Sequence, residues 1–382
     1  MTAMAQPRGT VCFCNSNRAW GGGERWHLEA TLAMAKRGWR VILLADRDGP
    51  LLKRGQELAR EHPELTALPV HFTSLSFLNP VTLLRWRCFF RREGVSRLVL
   101  GLPTDMKAAG LAAKMAGVER IYYRRGSAVP VRGSRLNRLL YGRVLDGVIV
   151  NSRETERLLL SRCPGLICRE KIHLLFNGID AQAFDGQLAA AEAEFREGDT
   201  FLIGNAGRMT VQKGQKFLLH MSRTLKDKGF PHRVILAGEG ELEESLRRLA
   251  KDLDVRDTVR FAGFRQDLGS FWKSLDLFVL PSLWEGFGFV LAEAMLAQIP
   301  LLGFDANSMP ELIRSGVNGE VIPPPKPDES DHDTGSRLAE AVLGMAGNRE
   351  KLREQGGQGR AIALAEYDQE SCMCRLDSLL QA

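Results

Sequence analysis

The feature that most constrains this chain is an alternation of short apolar strands and longer helices that runs through its first half and then begins again in the second. Strand-like runs fall at residues 10–15, 40–45, 67–72, 97–101, 120–123, 147–151 and 171–176, with helical periodicity in the gaps. The first helical pattern spans residues 24–37 and is stopped by Gly38. Further strands are expected at 200–206, 233–237, 259–262, 277–280 and 300–303, with helices at 215–229, 242–252, 271–274 and 288–297. Such alternation argues for doubly wound parallel sheets, and 382 residues exceed the ~250–300 that one hydrophobic core supports. The fold class is therefore α/β, with two Rossmann-like domains and a cleft between them. Between 180 and 200 there is no strand signal, which places the boundary there and divides the chain into 1–180, 181–358 and a last helical segment, 359–382.

Composition enters as an exclusion. With 44% hydrophobic and 26% charged residues the chain is neither disordered nor collagen-like. No apolar run reaches the ~18 residues of a membrane span. The stretch 1–8 is short and polar, so no cleavable leader is expected. Seven cysteines, an odd number without paired CxxC spacing, read as reduced thiols of a cytoplasmic protein. The net charge of +6 hides an asymmetry: residues 1–180 hold 29 Lys and Arg against 15 Asp and Glu, and the remainder 23 against 31. A first half at +14 and a second at −8 suggest an anionic partner for the first, unless its cations form a solvated face.

Parallel sheets take ligands at the carboxyl ends of their strands, and every candidate motif falls there. Trp284 to Ala294 (WEGFGFVLAEA) follows a strand and opens a helix. It places Glu285 before the helix and Glu293 within it, up to ~12 Å apart by helical rise, about the sugar-to-ribose distance of an extended nucleotide sugar. Gly286 and Gly288 leave helix-start N–H groups open to phosphate. Gly204 to Gly214 (GNAGRMTVQKG) sets Arg208 and Lys213 on a turn before a helix, two cations suited to a diphosphate, and lacks the GK[ST] of a Walker loop. Trp20 to Trp26 (WGGGERW) is a third phosphate-cradle position, but Trp26 stands where a dinucleotide fingerprint needs a small residue. The Asp46/Asp48 and Asp331/Asp333 pairs read as turn chemistry rather than metal sites, and Ser308 with Glu311 as a capping box. Residues 83–92 (LLRWRCFFRR) could lie on an anionic membrane, yet Leu83, Trp86 and Phe90 follow a helical core stripe.

On these residues the chain resembles the retaining glycosyltransferases of family 4, which have the GT-B fold. The resemblance rests on Gly207-Arg208 with Lys213-Gly214, the Gly238-Glu239-Gly240 turn, Phe261-x-Gly263, and Glu285-Gly286-Phe287-Gly288 leading to Glu293. In the first half it rests on Gly22 and Gly23, Asn151-Ser152 and Asn177-Gly178-Ile179-Asp180. It implies that Arg208, Lys213 and Glu285 act on the donor. Glu285 and the backbone of Gly286, Phe287 and Gly288 would hold the sugar, and Glu293 the ribose. Phe264 and Arg265 would lie at the base, with Gly22, Gly23 and Gly207 near the phosphates. It implies a nucleotide-sugar co-substrate without cofactor or metal, a glycan or lipid-linked acceptor at the inner face of the cytoplasmic membrane, and no nucleic acid. The last helix would cross back to the first domain. One departure stands out: where the family often has a histidine after the strand, this chain reads Tyr123-Arg124-Arg125-Gly126. Arg124 and Arg125 are candidates for an anionic acceptor. The alternatives at this stage are an epimerase of the same fold, an NAD-dependent dehydrogenase using Gly21 to Gly23 and Asp46, and a nucleic-acid-binding module using the basic half.

Overall fold

The computed structural model describes residues 8–196, 198–265 and 267–382, so the stretch 1–8 on which the leader expectation rests lies, Arg8 apart, outside the described residues. Seven strands form the first sheet: β1 (Thr10–Asn15), β2 (Arg40–Asp46), β3 (Leu65–Val70), β4 (Val95–Leu100), β5 (Arg120–Arg125), β6 (Gly147–Val150) and β7 (Ile172–Leu174). All pair in parallel, in the order β3-β2-β1-β4-β5-β6-β7. Central strands such as β1 are buried along their whole length, which is why they read as unbroken apolar runs. The second sheet joins β8 (Phe201–Ala206), β9 (His232–Ala237), β10 (Val259–Gly263), β11 (Leu277–Leu280), β12 (Leu301–Phe304) and β13 (Gly319–Ile322), again all parallel, as β10-β9-β8-β11-β12-β13. Each sheet has its own apolar core.

The chain divides into two units, Met1–Asn177 with Glu370–Ala382, and Gly178–Gln369. Within the first unit the terminal helix Gln369–Gln381 is tied to the sheet by polar contacts. Trp39 Nε1 donates to Asp377 at 2.7 Å, the Tyr122 hydroxyl to the Leu379 carbonyl at 3.1 Å, and Arg97 Nε to the Leu380 carbonyl at 2.6 Å.

Several local expectations need correction. The first helix is Gly22–Lys36 and not a helix opening at Glu24, so Gly22 and Gly23 are its first two residues and Gly21 its cap. Gly359 does not separate two helices: Arg349–Glu366 runs through it, and the break comes at Tyr367 and Asp368. Glycine is needed in that helix for close approach, since a Cβ at Gly356 would overlap the Gln298 carbonyl. The segment without strand signal holds a helix, Ala181–Ala190, capped by the Asp180 carboxylate on Ala183 N at 2.9 Å. Strand β13 escaped notice because only Val321 and Ile322 of its four residues are apolar and it is half-buried, whereas the equally short β11 and β12 are buried throughout and read as apolar runs.

The helix Pro80–Arg92 turns Phe90 into the core and sets Trp86 edge-on against Phe72 at 5.5 Å, which accounts for its aromatic stripe. All seven cysteines are free. Among the described residues no helix is long and apolar enough to cross a membrane, and no group of three or more His, Cys, Asp or Glu is placed to hold a metal ion.

The order of strands reverses direction between β1 and β4 in one sheet and between β8 and β11 in the other. The loops that leave β1, β8 and β11 therefore open at the switch points, where a doubly wound sheet has its natural crevice.

Candidate functional site

In the second unit the turns after β8, β9 and β10 are laced together by backbone. Gly207 N donates to the Ala237 carbonyl at 2.9 Å, Met209 N to Glu239 O at 2.9 Å, and Gly238 N to Gly263 O at 2.8 Å. Glycine is obligatory at Gly238, where φ is 126° and a Cβ would overlap the Gly207 carbonyl. The Glu239 carboxylate accepts from Phe264 N at 3.2 Å and so joins the third turn to the second. On this platform Arg208 stands exposed, while Lys213 runs back past Gly207. A Cβ on Gly207 would sit 3.4 Å from Lys213 Cε, so the bare glycine gives the lysine stem its channel.

Lys213 Nζ reaches Glu285 Oε2 at 2.6 Å, a pair with 16% and 12% of its side chains exposed. Glu285 comes from the loop after β11, 72 residues away in sequence and adjacent to β8 in the sheet. Ser282 Oγ also approaches Glu285 Oε2, at 3.4 Å. The loop backbone is fixed by Ser308, whose Oγ donates to the Glu285 carbonyl at 2.9 Å. Ser308 thus does not form the expected capping box: its side chain makes no cap hydrogen bond, because the nearby carbonyl is the better-placed acceptor in a fully buried setting.

The helix Phe289–Leu296 begins four residues after Glu285, with Gly288 as its left-handed cap at φ 83°. Helical rise hence covers only the last four residues to Glu293, about 6 Å, and not the whole span between the two acids. Glu293 is half-buried on that helix. The Phe287 ring is buried between Phe289 at 5.7 Å and Tyr367 at 5.3 Å, leaving its backbone and not its ring for a ligand. Gly286 is partly exposed beside it. After β10, Phe264 is 67% exposed. Arg265 is paired with Glu194 at 2.5 and 2.8 Å and lies over the Phe195 ring at 5.1 Å.

The first unit builds a separate polar cluster. Trp26 is buried against Phe13 and His27, filling the place a dinucleotide fold keeps small. Glu24 accepts from Asn15 at 3.2 Å and from Asn17 at 2.9 Å. His27 Nδ1 lies 2.8 Å from the Gly23 carbonyl, and burial holds the ring neutral with its pKa lowered to about 3. Asp105, buried and raised to about 7 by that burial, accepts from Ser16 Oγ at 2.5 Å and from Leu102 N at 3.0 Å, tying the end of β1 to the loop after β4. Arg124 and Arg125, adjacent in β5, are both 5% exposed. Arg125 donates to the Val129 carbonyl. Arg124 donates to Asn177 Oδ1 at 2.8 Å and lies over the Trp26 ring at 5.0 Å. Asp46 is engaged by Asp48 N at 3.0 Å and His71 at 3.1 Å.

With this geometry in view, the profile described as Glycosyltransferase Family 4 matches residues 20–183, and that described as Glycosyl transferases group 1 matches residues 189–356. The chain belongs to glycosyltransferase family 4. Among relatives of this family-4 chain, the lipopolysaccharide core biosynthesis glycosyltransferase LpsE of Rhizobium meliloti is 25% identical over 88% of this chain and 89% of its own length. The uncharacterized glycosyltransferase MJ1607 of Methanocaldococcus jannaschii is 33% identical over 42% of this chain, and alpha-D-kanosaminyltransferase of Streptomyces kanamyceticus 29% identical over 52%. Against these two the match spans about half of the relative's length or less, 43% and 51%. In structure, HepE of Anabaena in complex with UDP-glucose aligns with a TM-score of 0.78 at 19% identity, covering 97% of this chain and 99% of that one. A glycosyltransferase from Rickettsia africae gives 0.83 at 16% identity, covering 98% of each. The fold is GT-B.

Within this family-4 chain, one unit carries Gly207, Arg208 and Lys213 on the turn after β8 and Glu285, Gly286 and Glu293 on the loop and helix after β11, with Lys213 meeting Glu285, and the other sets the Arg124 guanidinium beside Gly23. The sequence reading missed Ser308 as the anchor of the Glu285 loop, because its S-x-x-E spacing already had a local explanation. It also missed Glu239 as the link to Phe264, for which the Gly-Glu-Gly turn was the available signal.

Proposed function

We propose that this chain is a retaining glycosyltransferase that moves a sugar from a nucleotide-diphosphate sugar, UDP- or GDP-linked, to a glycan or lipid-linked acceptor in cell-envelope polysaccharide or lipopolysaccharide synthesis. The observation that carries the reading is the Lys213–Glu285 pair at the switch point of the second sheet. It sets a cation for a leaving diphosphate beside a carboxylate able to accept sugar hydroxyls, with Arg208 on the same turn. The bond from the anomeric carbon to the phosphate oxygen breaks, and the bond to the acceptor oxygen forms on the same face. The acceptor proton passes to the leaving phosphate, so no protein nucleophile is needed. Charge developing on the diphosphate is met by Arg208, Lys213 and helix-start N–H groups, preorganised donors that need neither metal nor cofactor. LpsE supports the envelope setting, and the HepE complex supports a nucleotide-sugar donor. A dehydrogenase reading loses its footing, since Trp26 occupies the close-packing position and the Asp46 carboxylate is engaged within the fold.

The test is a thermal-shift titration against a panel of nucleotide sugars, with NAD as control and EDTA present. One nucleotide sugar is expected to raise Tm and NAD to leave it unchanged. Glu293→Ala is expected to weaken that donor about tenfold or more, as loss of a charged hydrogen-bond partner does. Normal affinity in a well-folded Glu293→Ala variant would remove Glu293 from the site, and a shift with NAD alone would overturn the transferase reading.

We infer as well that the first unit touches an anionic membrane surface. Leu75, Leu78 and Val81 are 66%, 65% and 71% exposed at and before the start of the helix Pro80–Arg92, which carries the exposed Arg85, Arg91 and Arg92 further along. Exposed apolar side chains on an arginine-bearing helix suit the boundary of an anionic leaflet. The full chain is expected to float with anionic vesicles and not with zwitterionic ones, and Leu78→Glu with Val81→Glu to abolish flotation. Equal flotation by the double variant would locate any membrane contact elsewhere.

A further inference from the structure

We propose that a cationic cavity on the outer edge of the second sheet is a binding site for a free, multiply phosphorylated small molecule, separate from the donor site. The cavity has a volume of about 590 Å³, within the range of small-ligand sites. It lies where the edge strand β10 meets the helix Glu243–Asp252. Its wall carries Arg233, Arg247, Arg248, Lys251, Arg256 and Arg260 against two carboxylates, Glu244 and Asp257. Residues 181–382 as a whole hold 23 Lys and Arg against 31 Asp and Glu, so this concentration runs against the charge of its surroundings. Both carboxylates are already engaged: Asp257 accepts from Lys226 at 2.9 Å, and Glu244 faces Arg248 at 3.6 Å. Lys251 and Arg256 are exposed, and among the described residues neither is paired with a carboxylate. Arg247 and Lys251 stand four residues apart on the helix, a like-charge spacing that a helix does not favour and that a bound anion relieves.

The arginines are also held in place. Arg247 Nε and Nη2 donate to Glu243 at 3.0 and 2.8 Å, and its guanidinium lies over the Phe261 ring at 4.4 Å. Arg260 lies over the Phe195 ring at 4.7 Å, and the carboxylate it approaches, Glu194 at 3.6 Å, gives both oxygens to Arg265. Five of the six cations are arginines, whose planar forks match phosphate oxygens. They come from β9, from β10, from the helix and from the turn between helix and strand, a spread that one phosphate does not meet and two or more do. A concave wall suits a compact ligand and not a flat leaflet. Arg233 is the second residue of β9 and Arg256 precedes β10, so the cavity reaches the amino ends of these strands. Gly207, Gly238 and Glu285 follow the carboxyl ends of theirs, which separates this cavity from the donor site.

The probe is inorganic pyrophosphate, titrated calorimetrically into the full chain at low salt, where exposed cations are least screened. Because a diphosphate also suits Lys213, the titrations use the Lys213→Ala chain, which keeps the cavity whole. Pyrophosphate is expected to bind it, more tightly than orthophosphate does, and to lose affinity about tenfold or more when Arg247→Gln and Lys251→Gln are added. Glutamine is as good a helix former as the residues it replaces, so Tm is expected to hold. Should that variant fail to fold, Arg256→Gln, in the turn outside the helix, is expected to weaken pyrophosphate severalfold. Unchanged affinity in either folded variant overturns the site. Lys326→Gln with Arg349→Gln removes two exposed cations of the same unit outside the cavity and is expected to leave the affinity unchanged. An equal fall there would show that net charge alone attracts the anion, and would overturn the site. Binding by the unaltered chain but not by Lys213→Ala places the anion at the donor turn, which removes this inference and leaves the transferase reading standing. Flotation with anionic vesicles is expected to be the same with and without Arg247→Gln and Lys251→Gln; its loss would turn these cations toward a lipid surface and overturn the small-molecule assignment.

Discussion

Lys213→Ala is expected to slow sugar transfer by roughly 10²–10³-fold while the second unit stays folded, the range seen when one preorganised donor to a developing charge is removed. Lys213 carries this weight because its position is determined three times over: by the channel beside Gly207, by the turn that ends at Gly214, and by Glu285 at 2.6 Å. Removing the ammonium also leaves the Glu285 carboxylate facing the leaving diphosphate with its charge unbalanced, so loss of attraction and gain of repulsion act together. Initial rates of nucleoside diphosphate release, read with Tm on the same preparation, separate this from unfolding. Lys213→Arg is expected to recover little, since a planar fork does not pass where a flexible stem does. A folded Lys213→Ala enzyme within a fewfold of full rate would show that the leaving group is neutralised elsewhere.

Gly214→Ala should be the most destabilising small substitution in the same turn. Gly214 sits in the left-handed region at φ +64°, and a Cβ there would overlap the Pro281 carbonyl at the end of β11. The left-handed conformation costs an L-residue about 1–2 kcal/mol, and forcing the overlap apart adds about 1–3 kcal/mol. For a unit of this size the sum, about 2–5 kcal/mol, lowers Tm by roughly 4–20 °C. Gly229→Ala is the matched control: φ there is +68° but nothing lies within 4 Å, so only the conformational part, roughly 2–8 °C, is expected. Equal Tm losses in the two variants would dismiss the close approach to Pro281. Because Pro281 precedes the Glu285 loop, Gly214→Ala should also lose activity out of proportion to its residual folded fraction, as Lys213 and Glu285 are pushed apart.

Glu293 and Arg265 illustrate how differently two site candidates can stand. Glu293 lies in an apolar helix turn, and the sequence already made an acid there hard to explain as surface. Arg265 was placed by its position after Gly263, and the structure pairs it with Glu194, 71 residues away, and stacks it on Phe195. In that arrangement its charge is largely met inside the fold, which leaves the exposed Phe264 as the freer face of the turn.

By itself the sequence determined the alternation of strands and helices, the two sheets, and the strand ends on which the motifs sit. It did so because burial on both faces of a parallel strand and on one stripe of a helix leaves a periodic trace in neighbouring residues. Only the tertiary structure decided which charges meet. Lys213 finds Glu285 because β8 and β11 are neighbours across a crossover, Ser308 turns to the Glu285 carbonyl and not to its own helix, and Arg124 reaches Asn177 while Arg125 turns to the Val129 carbonyl. Helix ends were decided there too: Gly359 lies inside the helix Arg349–Glu366 and does not break it. The reason is common to all of them: a hydrogen bond or ion pair is set by distance in space, and local periodicity carries no record of a partner 72 residues away.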